Sequence, residues 1–218
     1  MSFIDLSHTI ADGLETYPGL PAPHVCDFLS YDDSRAHYAE GTEFHIGRVD
    51  MVANTGTYLD APAHRLRGAA DVADLALADI ADLPGVVIRA RDAPGRAVPR
   101  ALFEAAEVAG RAVLVETGWD RHFGTPRYGE EHPHLTEEIA VLLRDRGARL
   151  VGIDSLNIDD TKGGRRPVHT ALLGAGIPIV EHLRGLEKLP DTGFSFFAVP
   201  PKLRGMGTFP VRAFARVG

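Results

Sequence analysis

The sequence predicts an α/β fold, a single domain over residues 1–218 built on a mixed and largely buried β-sheet. Three observations carry this reading. Ala112-Val113-Leu114-Val115, Leu150-Val151-Gly152-Ile153 and Ile177-Pro178-Ile179-Val180 are short apolar runs, the pattern of strands covered on both faces. Between them lie stretches with helix signals. At 218 residues and 44% hydrophobic composition, the chain is long enough to bury one sizeable core.

Taken in order, Phe3 to Ile10 alternates apolar and polar residues and predicts a short strand. Gly13, Pro18, Gly19, Pro21 and Pro23 then forbid a regular element as far as His24. From its residues the loop they form reads as a surface loop packed by Tyr17. Thr42 to Val52 predicts a strand that feeds the next segment. Asp71 to Leu83 predicts a short helix, with Val72, Leu75, Ile80 and Leu83 at helical spacing and Pro84-Gly85 as its stop. Val86-Val87-Ile88 is β-branched and ends at the turn Asp92-Ala93-Pro94-Gly95. Pro99 suits the first turn of a helix running to about Ala109 and ended by Gly110.

The strand at Ala112–Val115 delivers Glu116-Thr117-Gly118-Trp119-Asp120 into a long polar loop through Tyr128 and His134. His122, His132 and His134 match no metal spacing and read as solvated loop histidines. Thr136 caps the following helix, Glu137 and Glu138 complement its dipole, and Gly147 stops it. Asp154 ends the next strand, either capping a loop or facing a ligand crevice. His169 begins a short apolar helix, Glu181 closes a strand, and Phe194–Val199 and Met206–Ala213 give two more strands.

Composition excludes several function classes. The net charge of -7 and the absence of a basic run longer than Arg165-Arg166 give no footprint for nucleic acid or an anionic membrane. A small-molecule partner is expected instead. Cys26 is the only cysteine, so neither an intrachain disulfide nor a cysteine-built zinc site is possible. The opening Met1-Ser2-Phe3-Ile4-Asp5 has no basic region followed by an apolar run, and the expected compartment is the cytoplasm.

Chemistry-bearing residues concentrate in Asn54-Thr55-Gly56-Thr57-Tyr58-Leu59-Asp60-Ala61-Pro62-Ala63-His64. Read as a strand running into a turn, the segment puts Asn54, Tyr58 and Asp60 on one face before Pro62 breaks the ladder. Gly56 marks a bulge or a close approach. This segment resembles the signature of the metal-dependent cyclase family, which includes bacterial kynurenine formamidases and isatin hydrolase and reads His-x-Gly-Thr-His-x-Asp-x-Pro-x-His. Gly56, Thr57, Asp60, Pro62 and His64 match, whereas Asn54 and Tyr58 stand where the family has two histidine ligands. Asp5-Leu6-Ser7-His8, Thr117-Gly118-Trp119, Gly152-Ile153-Asp154 and Pro210-Val211-Arg212-Ala213 extend the resemblance over nearly the whole chain.

The resemblance implies a swivelling β/β/α fold and a metal centre completed by His169 and Glu181. With Asn54 and Tyr58 in place of imidazoles, the expected centre holds one divalent ion on Asp60, His169 and Glu181, with a place open to water. Mn, Zn or Fe would serve, and the two carboxylates favour the harder ions. His64 is expected to move protons, and Tyr58 to donate to an oxyanion. Asn54 and Trp119 are candidate substrate contacts, although Trp119 reads equally well as core packing. The implied function is a hydrolase that opens an amide, formamide or lactone bond by metal-activated water. The alternative is a metal-free relative that runs cyclisation or dehydration, or only binds a small molecule. Relatives imply a homo-oligomer, a dimer or tetramer.

Overall fold

The computed structural model describes residues 1–218. Eleven strands and three short α-helices are joined by single 3-10 turns. The strands are β1 (Ser2–Asp5), β2 (His24–Leu29), β3 (Ile46–Asp50), β4 (Tyr58–Asp60), β5 (Leu83–Arg89), β6 (Ala112–Glu116), β7 (Leu150–Ile153), β8 (Ile179–Glu181), β9 (Thr192–Phe197), β10 (Thr208–Pro210) and β11 (Phe214–Val217). The helices are α1 (Tyr31–Ser34), α2 (Glu137–Asp145) and α3 (Pro167–Gly174).

Nine strands form one mixed sheet in the order β1-β11-β9-β5-β6-β7-β8-β4-β10. The middle four, β5 to β8, are parallel. Antiparallel strands flank them on both sides. This is the mixed α/β architecture the sequence predicts, and the apolar runs at Ala112–Val115 and Leu150–Ile153 are its central strands. Their alternation sorts side chains to two cores. Val86, Ile88, Val113, Val115 and Ile153 pack with Ile139 and Leu143 of α2 and Val168 and Leu172 of α3. Val87, Leu114, Leu150 and Val180 face the other way, onto Leu6, Leu59, Phe194, Phe196 and Ala213. Both faces are buried, so these strands carry no polar face.

Several local expectations fail, each for a physical reason. Residues 71–83 form no α-helix: a capping box at Asp71 starts a 3-10 turn at Val72–Asp74, Leu75 is extended, and a second 3-10 turn follows at Leu77–Asp79. Pro84 and Gly85, expected as a stop, lie inside β5 at a bulge against β9. Gly85 is needed there because a Cβ would fall 2.0 Å from the Phe194 ring. After Pro99 only Arg100–Phe103 turns, as 3-10 helix, and the chain then leaves to bury Val108 beside Phe103.

The strand expected over 42–52 is present as the shorter β3, in a different sheet from the central motif. β3 pairs only with β2, in a separate two-stranded ribbon, and does not run into the central motif. Thr136 is the N-cap residue of α2, but its side chain makes no capping bond. Met206–Ala213 contributes only β10, while Phe214–Val217 adds the strand β11, which the sequence did not announce. No helix is long and apolar enough to cross a membrane.

Candidate active site

Strand register assembles the site. In β4, Leu59 turns into the core while Tyr58 and Asp60 share the opposite face. Tyr58 stands opposite Glu181 of β8. Asp60 stands opposite Thr208 of β10. These cross-strand pairs bond directly, Tyr58 Oη donating to Glu181 Oε2 at 2.7 Å and Thr208 Oγ1 to Asp60 Oδ1 at 2.5 Å. The loop beyond β7 supplies Asn157 and Asp159, and α3 supplies His169.

The remaining contacts orient two imidazoles. Asp159 Oδ2 lies 2.6 Å from His169 Nδ1 and also accepts the backbone N–H of His169 at 3.0 Å. His169 Nδ1 therefore donates, and Nε2 faces Asp60 Oδ2 at 3.5 Å and Glu181 Oε1 at 3.6 Å. The hydroxyl of Thr208 spends its proton on Asp60, so His64 Nδ1, 2.7 Å from it, donates and turns Nε2 inward to 3.8 Å from Asp60 Oδ1. Asp60, His64 and His169 can each offer a ligand atom within 4.8 Å of the others. His64 is the open member, with its side chain 33% exposed against 4% for His169.

Electrostatics favour a cation. Burial pushes Asp60 up, but His169 and His64, together with Thr208, outweigh it and hold the carboxyl below the usual range. Burial raises Glu181 to about 7, against the pull of His169. Burial would lower His169, yet Asp159 and Asp60, with the charge of Glu181, raise it to about 10. Buried carboxylates around one imidazole leave net negative charge. Asp60 Oδ2 is itself buried without a hydrogen-bond partner, where an unpaired carboxylate oxygen is costly. The distances of 3.5 and 3.6 Å at His169 Nε2 are close to the roughly 3.4 Å edge of a tetrahedron with metal–ligand bonds of about 2.1 Å. A donor set of imidazole and carboxylate fits a divalent ion; Asp60, His64 and His169 form the mutually close group, and Glu181 adjoins it through His169.

Asn54 lies in an irregular segment before β4 and not on the strand, since Gly56 turns the chain at φ 65°. A Cβ at Gly56 would fall 2.7 Å from the Ile10 side chain. Asn54 is half-buried beside the site, where it opposes the rise that burial imposes on the Tyr58 phenol. Tyr58, expected to serve an oxyanion, is 1% exposed and donates to Glu181. A phenol has one proton, so that proton is committed. Trp119 is 8% exposed, packs on Tyr128 and Leu156, and donates Nε1–H to the carbonyl of Tyr128 at 3.0 Å.

The opening loop approaches the site. Tyr17 packs against the Trp119 cluster; burial raises its phenol, while the positive charge of Arg166 opposes the rise. Asp154 caps a loop: it accepts from the N–H groups of Thr117 and Gly118 and from the Thr117 hydroxyl. His132 and His134, expected in solvent, are buried at 1% and 9% exposure. His132 is held by Thr161 and the Pro133 carbonyl. A cleft of about 910 Å³ with Arg65, Arg144, Arg165 and Arg166 on its walls borders α3, but Asp60, His64, His169 and Glu181 do not line it.

Sequence reasoning missed Thr208, Asp159, His182 and Tyr128. Only Asp159 had a signal, as an acid in the polar loop after a parallel strand.

A mixed α/β sheet carrying an imidazole and carboxylate centre at Asp60, His64, His169 and Glu181 defines the class. The family model described as "Putative cyclase" matches residues 4–160, and the chain belongs to the cyclase family. Among curated proteins it is similar to the kynurenine formamidase of Bacillus cereus, 27% identical over 215 residues covering 98% of this chain and 97% of that one. The kynurenine formamidase of Geobacillus thermodenitrificans is 29% identical over 216 residues, with coverage of 98% and 97%. Among solved structures, isatin hydrolase A from Labrenzia aggregata superposes with a TM-score of 0.85 at 22% identity, covering 99% of this chain and 93% of that one. At that identity the likeness concerns the fold alone.

Proposed function

We propose that this protein is a metal-dependent hydrolase that opens the carbon–nitrogen bond of an amide or formamide, or a lactone, in a small molecule. The observation that carries the reading is the buried Oδ2 of Asp60, which has no hydrogen-bond partner and lies 3.5 Å from His169 Nε2. Asp60, His169 and Glu181 would hold one divalent ion, Mn, Zn or Fe. Such an ion supplies Lewis acidity and a water acidic enough to be a nucleophile near neutral pH.

The chain's own residues supply the rest. Asp159 accepts the Nδ1 proton of His169, so the proton that would give way to an ion is the one on Nε2. His64 sits at the open edge with Nδ1 anchored on Thr208 and Nε2 facing inward. Nε2 is thus placed to take a proton from the attacking water and pass it to the leaving nitrogen or oxygen. Asn54, half-buried beside Tyr58, would border a bound substrate, and Trp119 would back the loop that carries Tyr128. Similarity to kynurenine formamidases supports the amide side of the reading.

The working form is a homo-oligomer in the cytoplasm. The β2–β3 ribbon supports the oligomer, because Phe28 at 72%, Val49 at 54% and Ile46 at 46% exposure leave it with apolar side chains facing solvent, and a lone two-stranded ribbon is marginal in water.

The test is metal content after purification without chelator, repeated after loading with Mn²⁺ and with Zn²⁺, followed by assay on N-formyl arylamines and aryl lactones. One ion per chain, together with turnover that chelation abolishes, is the expected result. Failure to take up either ion would overturn the reading and leave metal-free proton transfer by His64.

A further inference from the structure

The phenol of Tyr58 ends a chain of hydrogen bonds that holding an ion does not by itself require. Tyr58 Oη lies 2.7 Å from Glu181 Oε2 and 3.1 Å from His182 Nε2, and His182 Nδ1 lies 2.9 Å from Tyr128 Oη. Tyr58, His182 and Tyr128 are buried at 1%, 0% and 3% exposure. None of the three can exchange these partners for water.

The polarity of the chain follows from counting protons. Glu181 is offered the Ile158 N–H at 2.7 Å on Oε1, and Asn157 Nδ2 at 3.4 Å with Tyr58 on Oε2. Surrounded by donors, the carboxylate accepts, so the single proton of Tyr58 points at it. Tyr58 Oη must then accept from His182, which places the ring proton on Nε2. Nδ1 is left as a lone pair and takes the proton of Tyr128. The reverse order would aim the Tyr128 proton at no acceptor, since His182 is the one partner of that hydroxyl, and a buried unsatisfied donor is costly.

His182 is also held in an unusual backbone state. Its φ of 56° puts a non-glycine residue in the left-handed region, which persists only where surrounding structure imposes it. Thr57 Oγ1 imposes it here, donating to the His182 carbonyl at 2.6 Å while accepting the His8 N–H at 3.0 Å. The residue before Tyr58 thus fixes the residue after Glu181.

We propose that Tyr128 and His182 are positioning residues: their one-way chain of donors locks Tyr58 to Glu181 Oε2, turns Oε1 toward His169 Nε2, and makes position 58 a wall of a one-ion centre. This rests on the one-ion reading above. Within it, Tyr58 never becomes a ligand, and Glu181 is held in its ligand orientation from behind.

Calorimetric titration of the metal-free full chain with Mn²⁺ tests this, using the native protein, Tyr128→Phe, His182→Leu and His182→Gln. The native chain should bind one Mn²⁺. Tyr128→Phe and His182→Leu should still bind one, about tenfold more weakly or worse. His182→Gln, whose amide oxygen and NH₂ can stand in for Nδ1 and Nε2–H, should recover most of the affinity. Tyr128→Phe removes a single oxygen and tests the chain even if His182→Leu does not fold.

Native affinity in a folded Tyr128→Phe would overturn the chain and leave the one-ion reading standing. Equal weakening in His182→Gln and His182→Leu would reduce His182 to a packing residue and overturn its positioning role. Absence of Mn²⁺ binding by the native chain would overturn the one-ion reading and the proposal with it. Two ions per native chain would make Tyr58 or Asn54 a ligand and overturn the proposal.

Discussion

Asp159 and His169 form one unit: a carboxylate oxygen of Asp159 lies 2.6 Å from Nδ1 of His169 and 3.0 Å from its backbone nitrogen, while the other oxygen accepts the N–H of Val168 at 2.8 Å. The same side chain therefore caps the start of α3 and sets the tautomer of the imidazole that α3 carries. Asp159→Asn should weaken Mn²⁺ binding about 10- to 100-fold, with a smaller loss of stability, about 1 kcal/mol, from the poorer cap. Calorimetric titration and urea denaturation separate the two effects. Unchanged affinity would show that the tautomer is set by other groups.

An ion bound only to the folded chain stabilises it by mass action. At a metal concentration a hundred times Kd the gain is about 2.7 kcal/mol, which for a chain of this size is a rise of roughly 5–10 °C in Tm. Chelator should reverse that rise in the native protein and leave the Tm of Asp60→Asn unmoved. An equal response in Asp60→Asn would place the bound metal elsewhere.

His64→Asn keeps a polar side chain near Thr208 but removes the acid–base group. Turnover should fall about 10²- to 10⁴-fold with metal content unchanged, since His64 is the exposed member of the cluster. Loss of metal along with activity would make His64 a ligand instead of the proton carrier.

Burial lowers His132 to about 4, against about 6.5 in an unfolded chain. The folded protein thus binds fewer protons than the unfolded one between these values. The resulting stability is complete above the unfolded value and is lost as pH falls toward the folded one, by at most about 1.4 kcal/mol per pH unit for one histidine. Urea denaturation across this window should show that loss, and His132→Gln should have a slope shallower by up to one proton. Parallel slopes would mean that His132 is protonated without unfolding.

Phe28 and Val49 stand on the exposed ribbon. Phe28→Asp with Val49→Asp should shift the sedimentation coefficient to that of a single chain and leave the far-ultraviolet spectrum unchanged. A native protein that already sediments as one chain would end the proposal of a homo-oligomer.

Legibility followed the range of the forces involved. The central strands were readable because burial on both faces leaves an uninterrupted apolar run in Ala112–Val115 and Leu150–Ile153. The 71–83 segment was misread because its apolar spacing is helical, while Asp71 capping and the demand of β5 for Leu83 decide locally. Gly85 looked like a stop because nothing in the sequence announces the ring of Phe194 against it.

The sequence alone was enough for the fold class and for proposing Asp60, His64, His169 and Glu181 as one group, since residue type, order and the family resemblance carry both. Tertiary structure alone decided how they are used. Strand register set Tyr58 against Glu181 and Thr208 against Asp60. The packing of distant loops brought Asp159 to His169, and Tyr128 through His182 to Tyr58. Proton positions and tautomers depend on which donor meets which acceptor, and those meetings join residues up to 148 positions apart, beyond the reach of any local pattern.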